Sequence, residues 1–406
     1  MKAVVYHGVG DIRLDTVPDP TIRESTDVII RVTASAICGT DLHFVRGTFP
    51  GMKPGTILGH EAVGIVEDIG RDIRNFRPGD RVVVPSTIAC GSCSYCRCGY
   101  FAQCDEANPN GPQAGTAFFG GPESTGPFDG LQAEYARIPY AHVGLVKLPE
   151  EVSDEQAILI SDIFPTGYFG AKLAEIKAGD TVAVFGCGPV GQFAIMSAFL
   201  MKAGRVFAID QIASRLEKAQ ELGAETIDFS SEDPVETLHR LTGGIGPDRV
   251  IDAVGVDADQ ATTGPAHPDS AGQSRFESER EEIAGGKLAD GRWQPGTAPS
   301  QALQWGVASL AKAGTLSVIG VYPPQLQSFP IGLAMGKNLT INMGNCNHRK
   351  YMPELVRLVR SGAVDPLTVL SKQEQLISAI DAYHMFAEKK PGWLKVELES
   401  NSVVAV

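Results

Sequence analysis

Residues 181–191 read TVAVFGCGPVG, a short apolar run that ends in G-x-G-x-x-G and passes straight into the apolar stretch QFAIMSAFLMKAG. A strand that enters a glycine turn and leaves as a helix is the setting in which this spacing binds a dinucleotide. Gly186 allows the tight turn, Gly188 lets the backbone approach a pyrophosphate, and Gly191 lets helix and strand pack closely. Pro189 and Val190 complete the motif, with the diphosphate expected at the helix N-terminus. The next apolar run, RVFAID, ends at Asp210, the position from which a carboxylate accepts from a ribose 2′-OH and repels a 2′-phosphate. NAD is therefore expected over NADP, with Arg215 close behind to soften the preference. A bare glycine turn with a solvated Asp is the competing reading; the order strand, turn, helix, strand, acid argues against it.

Outward from this motif, SRLEKAQELGA and DRVIDAVG continue the alternation of strand and helix, which predicts a parallel βαβ sheet with right-handed crossovers. The pattern breaks over 256–300, rich in Gly, Asp, Pro, Ser, Ala and Glu, and resumes with QALQWGVASLAKAG and TLSVIGVY. That break reads as an inserted surface loop, partly helical near SRFESEREEIA. The end of the chain reads as helices closing with a strand, LKVELES. Before residue 150 the reading changes to short β segments separated by Gly, Pro and Asp: KAVVY, DVIIRVTAS, EAVGIVEDIG, DRVVVPS and AEYARIP.

Composition narrows the class. The 406 residues are 43% apolar, enough for two buried cores. A net charge of −13 argues against a nucleic-acid surface, which needs basic residues to displace counterions. No apolar run approaches the ~18 residues of a membrane span, and the N-terminus lacks a signal-type core, so a cytoplasmic protein with no nucleic-acid and no membrane partner is expected.

Cys90, Cys93, Cys96 and Cys104 stand as C-x2-C-x2-C-x7-C in one loop. Four soft ligands so close together read as one closed, structural, tetrahedral zinc site, whose metal would hold a loop too poor in apolar residues to hold itself. Free or disulfide-bonded thiols are the alternative, disfavoured because pairs at this spacing could close only tight, reducible disulfides. Cys98 could substitute as a ligand, but the even spacing of the first three cysteines makes it a bystander. Elsewhere, AICGTDLH supplies Cys38, Thr40, Asp41 and His43, and LGHEAVG supplies His60 and Glu61. A lone Cys and a lone His are each more often structural than ligating, so spacing alone leaves a second metal site open.

Taken in order, CGTDLH, GHEAVG, the four-cysteine loop, FDGLQAEYARIP and GCGPVG resemble the zinc-containing medium-chain alcohol dehydrogenases over nearly the whole chain except 256–300. Within that family, ISDIFPTGY most resembles the glutathione-independent formaldehyde dehydrogenase-like branch. The resemblance implies an α/β protein with a β-rich GroES-like catalytic domain over 1–163 and 343–406, a structural zinc lobe at 88–106, and a Rossmann domain over 164–342 carrying the inserted loop 256–300. It implies two zinc ions per chain, the catalytic one held by Cys38, His60 and Asp162, with the fourth position left for water or substrate. Asp162 stands where many members have cysteine, which keeps the charge balance and predicts a stronger Lewis acid.

The implied reaction moves hydride between a small alcohol or aldehyde hydrate and NAD. The proton leaves through the Thr40 hydroxyl and the nicotinamide ribose to His43 near the surface. Glu61 either steers the metal from behind His60 or is a plain buried ion-pair carboxylate. Gly39 and Trp393 occupy places where some members carry pyrophosphate-binding arginines; Arg349 is the expected replacement. The insertion either covers the adenosine end of the cofactor or lies free on the surface. Phe44, Phe49, Phe118 and Phe119 suggest an apolar substrate wall. A polyol or secondary-alcohol dehydrogenase and a non-catalytic NAD- and zinc-binding scaffold are the competing functions, and a homo-oligomer, dimer or tetramer, is expected.

Overall fold

The computed structural model describes residues 1–111, 113–284 and 287–400. Residues 285 and 286 of the insertion and 401–406 of the expected C-terminal portion lie outside the described residues.

Thr181–Phe185 is buried along nearly its whole length, as a strand covered on both faces must be. It stands inside a six-stranded sheet in the order Glu225–Asp228, Arg205–Asp210, Thr181–Phe185, Arg249–Asp252, Thr315–Val318, Thr340–Met343. All five pairings are parallel, with Phe185 opposite Ile209 on one side and Asp252 on the other. In chain order the strands run 3-2-1-4-5-6, the doubly wound arrangement that opens a crevice at the carboxyl ends of the first and fourth strands.

A second sheet of seven strands is built around Val28–Ile37, which pairs antiparallel with Ala62–Ile69, Tyr135–Ile138 and Val396–Glu399. The last of these, with Lys372–Gln375 beside it, comes from the end of the chain, so the polypeptide leaves this sheet, builds the parallel one and returns. Ile30, Val32, Val66, Val82 and Val84 fill one core under it, while the helices Asp154–Ser161 and His348–Arg360 pack with Val63 and Val83 in another. Among the described residues no helix is long and apolar enough to cross a membrane.

The 256–300 segment is more built than a surface loop. Its helix Ser270–Ala284 covers the expected stretch, and Phe276, Ile283 and Trp293 are buried. Trp293 lies against His384, with ring centroids 4.5 Å apart, and joins the core that holds Phe44 and Tyr383. Its scattered apolar residues show no periodicity to read, yet they suffice to seat it across both halves.

Candidate active site and structural metal site

The glycine turn has the geometry its residues require. Gly186 adopts φ +88°, and a Cβ on Gly191 would lie 1.8 Å from the Gly186 carbonyl oxygen. Pro189 opens the helix Pro189–Leu200, where a missing N–H costs nothing. Asp210, at the end of its strand, accepts from the Cys187 N–H (2.8 Å) and from the Gln211 and Ile212 amides, which fixes its carboxylate beside the turn. Arg215 lies 3.9 Å from it. Gly186, Gly188, Pro189, Val190, Asp210 and Arg215 all line one cleft of about 690 Å³.

The other wall of that cleft comes from the antiparallel half. Val28–Ile37 ends at Cys38, and the helix Gly39–Arg46 begins at once. Asp41 accepts from the Cys38 N–H at 2.9 Å, which sets the direction of the Cys38 side chain. Asp41 Oδ1 also lies 3.2 Å from His60 Nδ1, and His60 itself lines the cleft. Asp162 is the break between the helices Asp154–Ser161 and Ile163–Leu173. Its two oxygens have different surroundings. Oδ2 lies 3.5 Å from Cys38 Sγ and 3.4 Å from His60 Nε2, whereas Oδ1 accepts from Ser86 Oγ (2.9 Å) and Thr166 Oγ1 (3.3 Å) and lies 2.8 Å from His348 Nε2.

Donor atoms of Cys38, His60, Glu61 and Asp162 lie within 4.8 Å of one another, all buried. Glu61 Oε2 has no hydrogen-bond partner. An unpaired buried carboxylate oxygen beside a thiol, an imidazole and a second carboxylate is a donor set suited to a borderline-soft cation such as zinc. Burial pushes the Cys38 thiol and the Glu61 carboxyl up, the latter to about 7 despite the Lys395 ammonium. Burial works the same way on Asp162, but the bonds to His348 and His60 outweigh it and hold that carboxyl well below the usual range.

The four-cysteine loop forms a separate cluster. Cys90, Cys93, Cys96 and Cys104 bring their sulfurs within 4.8 Å of one another with no disulfide, and Cys98 is exposed outside the group. Backbone amides point at the sulfurs: Cys93 N–H to Cys90, Cys96 N–H to Cys93, and Ala107 N–H to Cys104, at 3.3–3.5 Å. Such donors favour thiolates. At Cys90, burial pushes the thiol up, but the bonds from Ser92 and Cys93 outweigh it and bring it to about 7, whereas at Cys96 and Cys104 burial prevails and the thiols are pushed up.

Three expectations are corrected. His43 is not near the surface: it is buried under the insertion, with Nδ1 2.9 Å from Asp257 Oδ2. Arg349 does not face the cleft, because its guanidinium donates to the Val143 carbonyl beside the cysteine lobe. Phe44, Phe49 and Phe118 do line the cleft, Phe44 stacked on Phe118 at 6.0 Å, but Phe119 points into the core beneath the antiparallel sheet. Sequence reasoning gave no role to His348, Ser86, Lys395 or Asp257. Lys395 had a visible signal, a charge inside the closing strand pattern LKVELES; the others are brought in by tertiary structure alone.

A doubly wound nucleotide sheet and a thiol–imidazole–carboxylate cluster facing the same cleft define a two-domain, zinc-binding oxidoreductase. The comparisons agree. The chain matches the alcohol dehydrogenase GroES-like domain over residues 24–150 and the zinc-binding dehydrogenase domain over 189–263. It is 38% identical to the uncharacterized zinc-type alcohol dehydrogenase-like protein AdhB of Bacillus subtilis, across 98% of this chain and 100% of that one. A glutathione-independent formaldehyde dehydrogenase of Pseudomonas aeruginosa is 38% identical over 63% of this chain and 66% of its own length. The alcohol dehydrogenase TADH of Thermus sp. ATN1 superposes with a TM-score of 0.79 at 32% identity, covering 99% of this chain and 100% of that one. This chain belongs to the zinc-type medium-chain alcohol dehydrogenase family.

Proposed function

We propose that the protein oxidises a small alcohol, or an aldehyde hydrate, by hydride transfer to NAD, and that it belongs to the formaldehyde dehydrogenase-like branch of its family. The observation that carries this reading is the convergence of Cys38, His60 and Asp162 on the cleft that also bears Gly188, Pro189 and Asp210. Those three residues are the proposed catalytic zinc ligands, and Cys90, Cys93, Cys96 and Cys104 the proposed structural ones. When bound, zinc supplies Lewis acidity to an alcohol hydroxyl and NAD supplies the hydride acceptor.

The chain's own residues do the rest. Oδ1 of Asp162 is held by Ser86, Thr166 and His348, so Oδ2 is the oxygen that would hold the metal. Thr40, at the start of its helix and in the cleft, holds the departing proton, and His43 is the base that receives it. Glu61 acts from behind His60, fixed by Lys395. Asp210 favours NAD through its position at the end of the second strand. The proposed domain division is 1–163 with 343–406, and 164–342. Among the described residues Thr340–Met343 leaves one edge of the parallel sheet unpaired, with Ile331, Leu333, Met335 and Met343 exposed near it, which supports a homo-oligomer formed there.

A polyol or secondary-alcohol substrate is the second reading, favoured by Thr116, Ser124, Thr125 and Asn345, polar residues that line the cleft along with the phenylalanines. A panel of primary, secondary and polyhydric alcohols, with formaldehyde alone to detect dismutation, tests both against NAD and NADP. Reduction of NAD by at least one alcohol is expected; no turnover with any member would overturn the assignment.

A further inference from the structure

His43 and Arg46 lie one turn apart on the helix Gly39–Arg46, and both reach a single atom, Asp257 Oδ2, at 2.9 Å. Asp257 follows the strand Arg249–Asp252 of the parallel sheet and begins the insertion, so this contact crosses the cofactor cleft. The side chains are 7% exposed each. The other oxygen of Asp257 accepts from the Gly296 amide (3.2 Å) at the far end of the insertion, and a Cβ on Gly296 would come within 2.2 Å of the Asp257 backbone. The insertion therefore closes on Asp257 and holds it in place. A second tie runs parallel to the first, between Asp259 and Lys389.

The chemistry of this contact is directional. Burial pushes the Asp257 carboxyl up, but its contacts with His43 and Arg46 outweigh it and hold the group ionised. An ionised carboxylate only accepts hydrogen bonds, so the proton of this contact sits on His43 Nδ1, which leaves Nε2 as the nitrogen whose lone pair can act as a base. Thr48 Oγ1 sits 3.4 Å from the same Nδ1, and the ring lines the cleft. A histidine fixed through Nδ1 by a buried carboxylate is held in the tautomer that can take a proton at Nε2.

We propose that Asp257 is the positioning residue for His43, supplied by the nucleotide-binding half so that the base acquires its working tautomer only when the two halves meet across the cleft. The role rests on the oxidoreductase reading, in which His43 receives the substrate proton. It gives the front of the insertion a catalytic purpose separate from any cover it provides over the cofactor. Arg46 and the Gly296 amide serve Asp257, not the substrate.

The test combines a spectroscopic and a kinetic readout on the full-length, zinc-loaded protein. Selective ¹⁵N labelling of histidine, with H43Q to assign the signal, should show His43 as the Nδ1–H tautomer, and D257N should convert it to a mixture. The rate of the first turnover of NAD should fall about 10- to 100-fold in D257N, recover largely in D257E, and fall no further when D257N is added to H43Q. An Nε2–H tautomer in the wild type, or equal losses from D257N with and without His43, would overturn the proposal. A wild type that turns over no alcohol would instead sink the oxidoreductase reading, while the tautomer measurement would still decide whether Asp257 sets the ring. That measurement needs no variant to fold beyond the one used for assignment.

Discussion

Lys395 places its ammonium 2.5 Å from Glu61 Oε1, and neither side chain has any exposure to solvent. Nζ also donates to the Ile37 carbonyl, so the start of the closing strand Val396–Glu399 is pinned by a charge to the chain beside Cys38 and His60. Removing one partner of such a pair leaves the other charge buried and uncompensated. K395M should lose about 3–5 kcal/mol of stability in urea denaturation. K395M/E61L should recover a large part of it, because the orphaned charge is gone.

His348 anchors the oxygen of Asp162 that faces away from Cys38 and His60. Without it the carboxylate can rotate and offer both oxygens or neither. H348A is expected to weaken zinc binding at the cleft site about 10- to 100-fold, measured as release to a competing chelator, while zinc at the cysteine lobe stays bound. Equal loss from both sites would point to general unfolding.

Asp210 tests the cofactor. D210A removes the group expected to meet the ribose hydroxyls and leaves Arg215 without its acidic neighbour. The ratio of kcat/KM for NADP to that for NAD should rise about tenfold or more. A wild type that already prefers NADP would show that Arg215, not Asp210, sets the choice.

Glu397 supplies a pH-dependent prediction. Burial in the closing strand, reinforced by Glu155, Glu399 and Asp154, raises its carboxyl to about 7 even though Gln373 donates to it. The folded protein thus binds a proton more tightly than the unfolded chain between the ordinary carboxylate value and about 7. Stability must fall as pH rises through that window. E397Q, which keeps the shape without the charge, should raise the melting temperature relative to wild type at pH 8 and change it little at pH 4. The opposite ordering would contradict the raised value.

The sequence carried the parallel sheet well, because TVAVFGCGPVG couples a buried strand, a glycine turn and a helix within eleven residues, and each constraint is local. The cysteine loop was legible for the same reason: its four ligands lie within fifteen residues. Spacing alone left Cys38 and His60 open as ligands, and Asp162 was found only through resemblance, since 124 residues separate the Cys38 and Asp162 side chains that meet. Asp257 and His348 were missed because nothing in their neighbourhoods marks them. Asp257 sits in a segment whose composition reads as a loop, and its partners His43 and Arg46 are more than 200 residues away. The burial of His43 was misjudged on the same account, for it is the insertion that covers it.

Zinc counting on wild type, C38S and C93S, side by side, bears most directly on the division of labour between the two clusters. The wild type should hold two zinc ions per chain. C38S should hold one, stay folded and lose NAD reduction; C93S should also hold one but lose heat stability, whereas C98S should match the wild type. A wild type with a single zinc, or a C38S variant that keeps two and still reduces NAD, would contradict the catalytic site described above.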